Sequence, residues 1–257
     1  MDLGLGKEAL KHLALARMQA VIENDEWRLA EKVALACRVL FDAGQDSGLS
    51  GQISARVGCN DFITQQLGIG FDETAVSNLL TVDRELRVIS GVGMPNPANR
   101  FHSWIYEARP DVNCIVHTHA LHTAALSMLE VPLVIAHTDC CVLYNEVAFL
   151  PKWAGVPVGN CEGETIAAAL GPKKALLLGH HGLLTAASSV EEACVIALQF
   201  ERAARLQLLA MAAGTIVAID DAPAAEAHDW LLQAKRVSAT FGYYARRTLR
   251  TDRSCLC

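Results

Sequence analysis

The stretch Val112-Asn113-Cys114-Ile115-Val116-His117-Thr118-His119 is a β-branched run that ends in His-x-His. Side chains alternate faces along a strand, so Ile115, His117 and His119 point the same way and two imidazoles sit side by side at one strand end. A second apolar run, Ala175-Leu176-Leu177-Leu178, reads as a buried strand leading into Gly179-His180-His181-Gly182-Leu183-Leu184. Two strand ends thus offer three neutral nitrogens with one coordination position open, the donor set of a catalytic rather than a structural metal site. A lone His-x-His is commonly incidental, and it is the second histidine cluster that gives this one weight.

Moving outward, the chain reads as short β-elements enclosed by helices. Lys7 to about Glu23 is a helix of Ala, Leu and Met, and Trp27 to Phe41 is a second, with Leu29, Val33, Ala36 and Leu40 on one stripe and Gly44 as its stop. Gly48-Leu49-Ser50-Gly51-Gln52-Ile53-Ser54-Ala55-Arg56-Val57 is a glycine-flanked turn entering a strand, either a tight hairpin entry or a cradle for a carboxylate or phosphate. Phe62-Ile63-Thr64 is a strand, and Leu79–Val82 pairs with Leu86–Ile89 around Asp83-Arg84-Glu85.

Ala98 to Arg109 is a helix stopped by Pro110, and its start places Asn99 and Arg100 near the metal strand. His102, one turn further in, reads as a buried hydrogen-bonding residue. His122, on a helix after His119, is a candidate for proton transfer. Val131-Pro132-Leu133-Val134 and Val142-Leu143-Tyr144 read as strands, and Glu162 to Leu170 as a helix closed by Gly171-Pro172. Ser189-Val190-Glu191-Glu192 is a capping box that opens a long helix with Ile196, Phe200, Ala203, Ala204 and Met211 facing the core and Glu201, Arg202 and Arg205 facing away. The tail from Ala222 to Cys257 is helical and carries Tyr243, Tyr244, Arg246 and Arg247 near its end, as a solvated helix end or a cover for a neighbour's site.

This pattern predicts a layered α/β/α or α+β core without strict βαβ repetition. The 257 residues suffice for one α/β domain, with a helical extension over about residues 1–25 and a helical tail over about 222–257. Hydrophobic residues make up 52% and the mean hydropathy is +0.24, yet no run approaches the roughly 20 apolar residues of a membrane span, so the excess marks a large core or subunit contacts. A net charge of −6 with scattered Lys and Arg argues against nucleic acid as a partner. The start, Met1-Asp2-Leu3-Gly4, lacks the plan of a signal peptide, so a cytoplasmic protein is expected. Of nine cysteines, Cys37, Cys114 and Cys194 lie in apolar runs and read as small buried hydrophobes, while Cys140-Cys141, Cys255 and Cys257 have no evident role and are taken as reduced.

Gly51-Gln52-Ile53-Ser54-Ala55-Arg56, then Arg109-Pro110-Asp111-Val112-Asn113 running into His117-Thr118-His119, then His180-His181-Gly182, resembles the class II aldolase/adducin family in order and spacing, over roughly residues 30 to 215. The resemblance implies an α/β/α fold with a central, mainly antiparallel sheet, a homotetramer with active sites at subunit interfaces, and a zinc or manganese ion held by His117, His119 and His181. His180 stands where the family often has Asn, and is not expected to be a ligand.

The departures bear on the reaction. The sugar-phosphate aldolases of this family carry Ser-Ser-Glu ahead of the helix, and related epimerases have Asp in place of Glu; this chain has Asn96-Pro97-Ala98. The second phosphate-holding turn is altered to Thr64-Gln65-Gln66-Leu67-Gly68. Losing several charge-assisted hydrogen bonds of roughly 1.5 to 3 kcal/mol each disfavours a phosphosugar. A non-phosphorylated hydroxy, oxo or hydroxyaromatic carboxylic acid is expected instead. Its C–C bond would break by retro-aldol cleavage or loss of CO2 through a metal-stabilised enolate. Gln52, Arg56 and Asn99 are the candidate substrate-binding residues and Arg100, Tyr144 and His122 the candidate catalytic ones, with Glu146 or a neighbouring subunit's C-terminal tyrosine as further proton donors. Two other readings stand beside this lyase: a non-catalytic assembly module like the adducin head, which has no reason to retain three histidines, and an epimerase, weakened by the missing Asp.

Overall fold

The computed structural model describes residues 4–23, 25–153 and 155–257. Among them eight strands form one sheet: β1 (Gln52–Val57), β2 (Asp61–Gln65), β3 (Leu79–Asp83), β4 (Val88–Ser90), β5 (Cys114–Thr118), β6 (Val147–Leu150), β7 (Ala175–Leu178) and β8 (Gly182–Ala187). Their order is β4-β3-β2-β1-β5-β8-β7-β6, antiparallel throughout except for the β6–β7 pair. The strand that leads into the two histidines, β5, lies between β1 and β8, where both faces are covered. That position explains its unbroken apolar run.

Alternation along the strands fills two cores. Cys114 and Val116 of β5 and Ala175 and Leu177 of β7 face one core, together with α2 (Leu29–Asp42), α6 (Val190–Ala213) and α8 (Ala234–Leu249). Ile115 of β5 and Leu176 and Leu178 of β7 face the other, with Phe101, Ile105 and Tyr106 of α3 (Arg100–Ala108) and Ile166 and Leu170 of α5 (Asn160–Leu170). The result is the expected three-layer α/β/α arrangement. Helices α3 and α5 pack closely because Gly163 has no side chain: a Cβ there would meet Trp104 Cδ1 at 2.4 Å.

The structure corrects several readings. Residues 131–136 are not a strand; Gln207 of α6 reaches across to them, its Oε1 accepting from Val134 N at 2.7 Å and its Nε2 donating to the Pro132 carbonyl at 3.0 Å. The β-branched run obtains its hydrogen bonds from a side chain instead of a ladder. Thr138–Leu143 is a 3-10 helix with Cys140 to Leu143 buried, not a strand into Tyr144. The strand actually present in this region, β6, pairs with β7. Met211 is exposed because the end of α6 outruns the core. Ser189 Oγ does cap α6 by accepting from Glu192 N at 3.1 Å, but Glu192 turns its carboxylate to Ser188 N and Oγ rather than back to Ser189.

The C-terminal segment is solvated on the face of Tyr243, Arg246 and Arg247, as expected, but its other face is buried. Helix α7 (Asp221–Leu231) leads into α8, whose Val237, Phe241 and Ala245 enter the core of α2 and α6, with Trp27 edge-on to Phe241 at 6.0 Å. The first helix, α1 (Lys7–Val21), buries no residue fully and is tied to α7 by Lys7 and Lys11 pairing with Glu226. Lys235 of α8 donates to the carbonyls of Gln19 and Ile22 at its other end.

One glycine positions the turn that carries His181. A Cβ on Gly179 would lie 2.0 Å from the Pro151 carbonyl oxygen and 2.9 Å from that of Leu150, both backbone atoms of the neighbouring chain segment. Gly179→Ala is therefore expected to cost about 3 kcal/mol in urea unfolding, as overpacking against an immobile backbone does. A loss below about 0.5 kcal/mol would show that the β6 end yields.

Candidate metal centre

His117 is the fourth residue of β5, on the face of Ile115, with Gln52 opposite it on β1 and Leu184 opposite it on β8. His119 lies one residue beyond the strand. His181 comes from the three-residue turn between β7 and β8, whose ends Leu178 and Gly182 pair. That turn needs His180 at φ +56°, the left-handed region that Asn and Gly tolerate best, and it sends the His180 ring outward to Glu130 Oε1 at 2.9 Å while His181 points in. The backbone closes round the cluster because Gly182 leaves room: a Cβ there would stand 2.5 Å from Thr118 O and 3.1 Å from His119 Cδ2.

The three rings lie 4.7 to 4.9 Å apart by centroid, and one nitrogen from each falls within 4.8 Å of the others. His117 Nδ1 faces the Leu183 carbonyl at 2.8 Å, so it carries the proton and donates, which leaves the Nε2 lone pair facing His119 Nε2 at 3.0 Å. Burial holds His117 well below the ordinary imidazole pKa, with His181 and His119 adding to the effect. Burial also lowers His119, and burial followed by His119 takes His181 down to about 4. Burial thus favours the neutral form of all three, and each presents one ring nitrogen to the cluster. The residues present fit a divalent metal ion bound by three imidazoles with a position left for substrate or water.

The other predicted residues are distributed as follows. Gln52 is buried beside His117, and its Oε1 has no partner among the described residues. Asn99 is buried at the start of α3; its Nδ2 donates to Thr64 Oγ1 at 3.0 Å and its Oδ1 is unpartnered. Arg56 is committed elsewhere: its guanidinium donates to the carbonyls of Val112, Tyr106, Arg109 and Cys59 and lies 4.5 Å over the Tyr106 ring. Arg100 turns to the β3–β4 connection, pairing with Glu85 at 3.2 Å. Tyr144 faces Asp221, and burial together with that carboxylate raises its hydroxyl pKa. His102 is a buried hydrogen-bonding residue, with Nδ1 2.7 Å from Ser54 Oγ and a pKa lowered to about 3 by burial.

Glu201 was expected on the outer face of α6, but its carboxylate turns inward to α4 (Leu121–Ser127). One oxygen accepts from His122 N at 2.9 Å and His122 Nδ1 at 2.7 Å; the other accepts from Thr123 N at 2.8 Å and Thr123 Oγ1 at 2.7 Å. The signal was available in the sequence. Ala120 at the N-cap has no acceptor side chain, so the first amides of α4 had to find one elsewhere.

A family model described as "Class II Aldolase and Adducin N-terminal domain" matches residues 31–208. The chain belongs to the class II aldolase/adducin family. L-fuculose phosphate aldolase of Escherichia coli O6:H1 is 31% identical over 187 residues, covering 72% of this chain and 85% of the relative. The 3,4-dihydroxyphthalate decarboxylase of Arthrobacter keyseri is 30% identical over 235 residues, covering 82% of this chain and 94% of the relative. Among solved structures, L-fuculose 1-phosphate aldolase from Glaciozyma antarctica superposes with a TM-score of 0.81 at 30% identity, covering 92% of this chain and 96% of the other. Family membership and the three-layer fold are as expected from the histidine motifs, and the relatives include lyases of two kinds.

The lowered pKa values have a measurable consequence. Below about pH 6.5 the unfolded chain takes up protons that folded His181 and His102 refuse, so metal-free protein loses stability as pH falls from 6.5 towards 4 for His181 and towards 3 for His102. Thermal melts of metal-free protein across this range are expected to show a shallower decline for His181→Gln than for the native chain. Parallel curves would mean that His181 titrates at its ordinary value.

Proposed function

We propose that this protein is a divalent-metal-dependent carbon–carbon lyase acting on a non-phosphorylated hydroxyaromatic, hydroxy or oxo carboxylic acid, with decarboxylation as its reaction. The observation that carries this reading is the triad of neutral, converging imidazoles with no carboxylate among them. His117, His119 and His181 would hold zinc or manganese, which would supply a Lewis acid for the negative charge left when the bond breaks.

The surroundings of the triad support an unphosphorylated substrate, because the side chains that would hold a phosphate are already engaged. Thr64 Oγ1 donates to the Ile53 carbonyl at 2.8 Å and Gln65 Nε2 donates to the Gly51 carbonyl at 3.1 Å. Gln52 and Asn99, with unpartnered oxygens, are proposed to accept from substrate hydroxyls.

Proton return to the carbon that loses CO2 is assigned to His122. Its Nδ1–H donates to Glu201, which fixes the ring and leaves Nε2 as the exchanging atom, and a side chain about one-third exposed is open to reactants. Exposed apolar side chains on and after α4 (Leu121, Met128 and Leu129) support a homotetramer with interfacial sites. Nine free cysteines, three of them exposed, support a reducing, cytoplasmic setting, and among the described residues no helix is long and apolar enough to cross a membrane.

The test is CO2 release from dihydroxyaromatic and oxo acids by protein loaded with zinc or manganese. His181→Ala is expected to abolish turnover, and His122→Gln to lower kcat by about 10²- to 10⁴-fold with little change in KM. Faster cleavage of a sugar phosphate to an aldehyde would favour the aldolase reading instead.

A further inference from the structure

We propose that Glu201 is a positioning residue for the triad, acting through α4 on both segments that carry the histidines; this deepens the reading that the triad holds a divalent ion. The carboxylate lies on a helix of the core, with only 12% of its side chain exposed, and accepts four hydrogen bonds from two consecutive residues at the start of α4. It supplies the N-terminal cap that Ala120 cannot, to a helix that begins two residues after His119. The other end of α4 is joined to the second ligand segment: the Ser127 carbonyl accepts from His180 N at 3.1 Å, next to His181. A seven-residue helix with no side-chain cap of its own is therefore held at one end by Glu201, and its two ends adjoin the two ligand-bearing loops. Loosening the Glu201 end frees His119 relative to His117, which the sheet holds, and frees the acceptor of the His180 amide.

Glu201 makes no hydrogen bond to His117, His119 or His181, so its effect reaches the ion only through geometry. The experiment titrates metal-free wild type, Glu201→Gln, Thr123→Val and Ser189→Ala with Zn2+ and records the visible spectrum of each with Co2+. Glutamine keeps one acceptor oxygen but turns a donor NH2 towards a second pair of donors. Ser189→Ala removes the cap of α6 instead, a comparable structural loss away from the ligand segments. Glu201→Gln is expected to weaken Zn2+ binding about 10- to 100-fold, the range seen when an outer partner of a metal site is removed, and to alter the Co2+ bands. Thr123→Val should weaken binding severalfold, and Ser189→Ala should leave it within about twofold of wild type.

Wild-type affinity and spectrum in a folded Glu201→Gln overturn the proposal. If that variant does not fold, an unchanged Thr123→Val overturns it. Equal weakening in Ser189→Ala also overturns it, by reducing the effect to general stability. Failure of the wild-type protein to bind either ion is a different result, which removes the metal reading itself.

Discussion

The centre depends on how closely two strand ends approach. Antiparallel pairing sets β5 against β8, and the Thr118 carbonyl and the His119 ring lie where a side chain on Gly182 would be. Similar crowding recurs nearby: a Cβ on Gly51 would fall 3.1 Å from the His117 carbonyl, and one on Gly179 would overlap Pro151. These absent side chains let three backbone segments converge on one point. His117 is then supplied by a strand of the sheet and His181 by a tight turn whose ends the sheet pairs, so these two donors follow from the topology.

The arrangement keeps its histidines uncharged. Two imidazole nitrogens 3.0 Å apart face each other, and the proton on His117 is assigned to the Leu183 carbonyl on the opposite side of its ring. A neutral His119 with its proton on Nε2 satisfies that contact by donating to His117 Nε2, while burial opposes charge on His117 and His181. A divalent ion would take the place of that proton, with three uncharged nitrogens as donors.

How much could be read in advance depended on where each residue's partners lie. β5 and β7 were legible because strands buried on both faces read as largely apolar runs, and glycines and a proline mark the elements beside them. The segment from Val131 to Tyr144 was not, because Gln207, more than sixty residues away, supplies the hydrogen bonds that its β-branched residues would otherwise take from a ladder. Strand β6 has four residues and is defined by its neighbour β7. Helical periodicity placed the Cα of Glu201 on the outer side of α6 but could not show that its carboxylate reaches back to α4. Arg56 beside the glycine turn invited a ligand-binding reading; five donors in a fixed fork are equally suited to several carbonyls at once, and that is how it is used.

The site divides into a floor and a wall with different origins. The floor is His117, His119 and His181, set by strand register and glycine packing, and changing it means changing the sheet. On the proposed reading the wall is the turn from Asn96 to Asn99 and the helix α4, neither of which contributes a strand. Asn96 caps its own turn, and the buried Asn99 reaches to Thr64. The relatives include both an aldolase of a sugar phosphate and a decarboxylase of an aromatic acid. On that reading an ion held by the floor would meet the charge developed on breaking a C–C bond in either case, while the wall would decide which substituent is held.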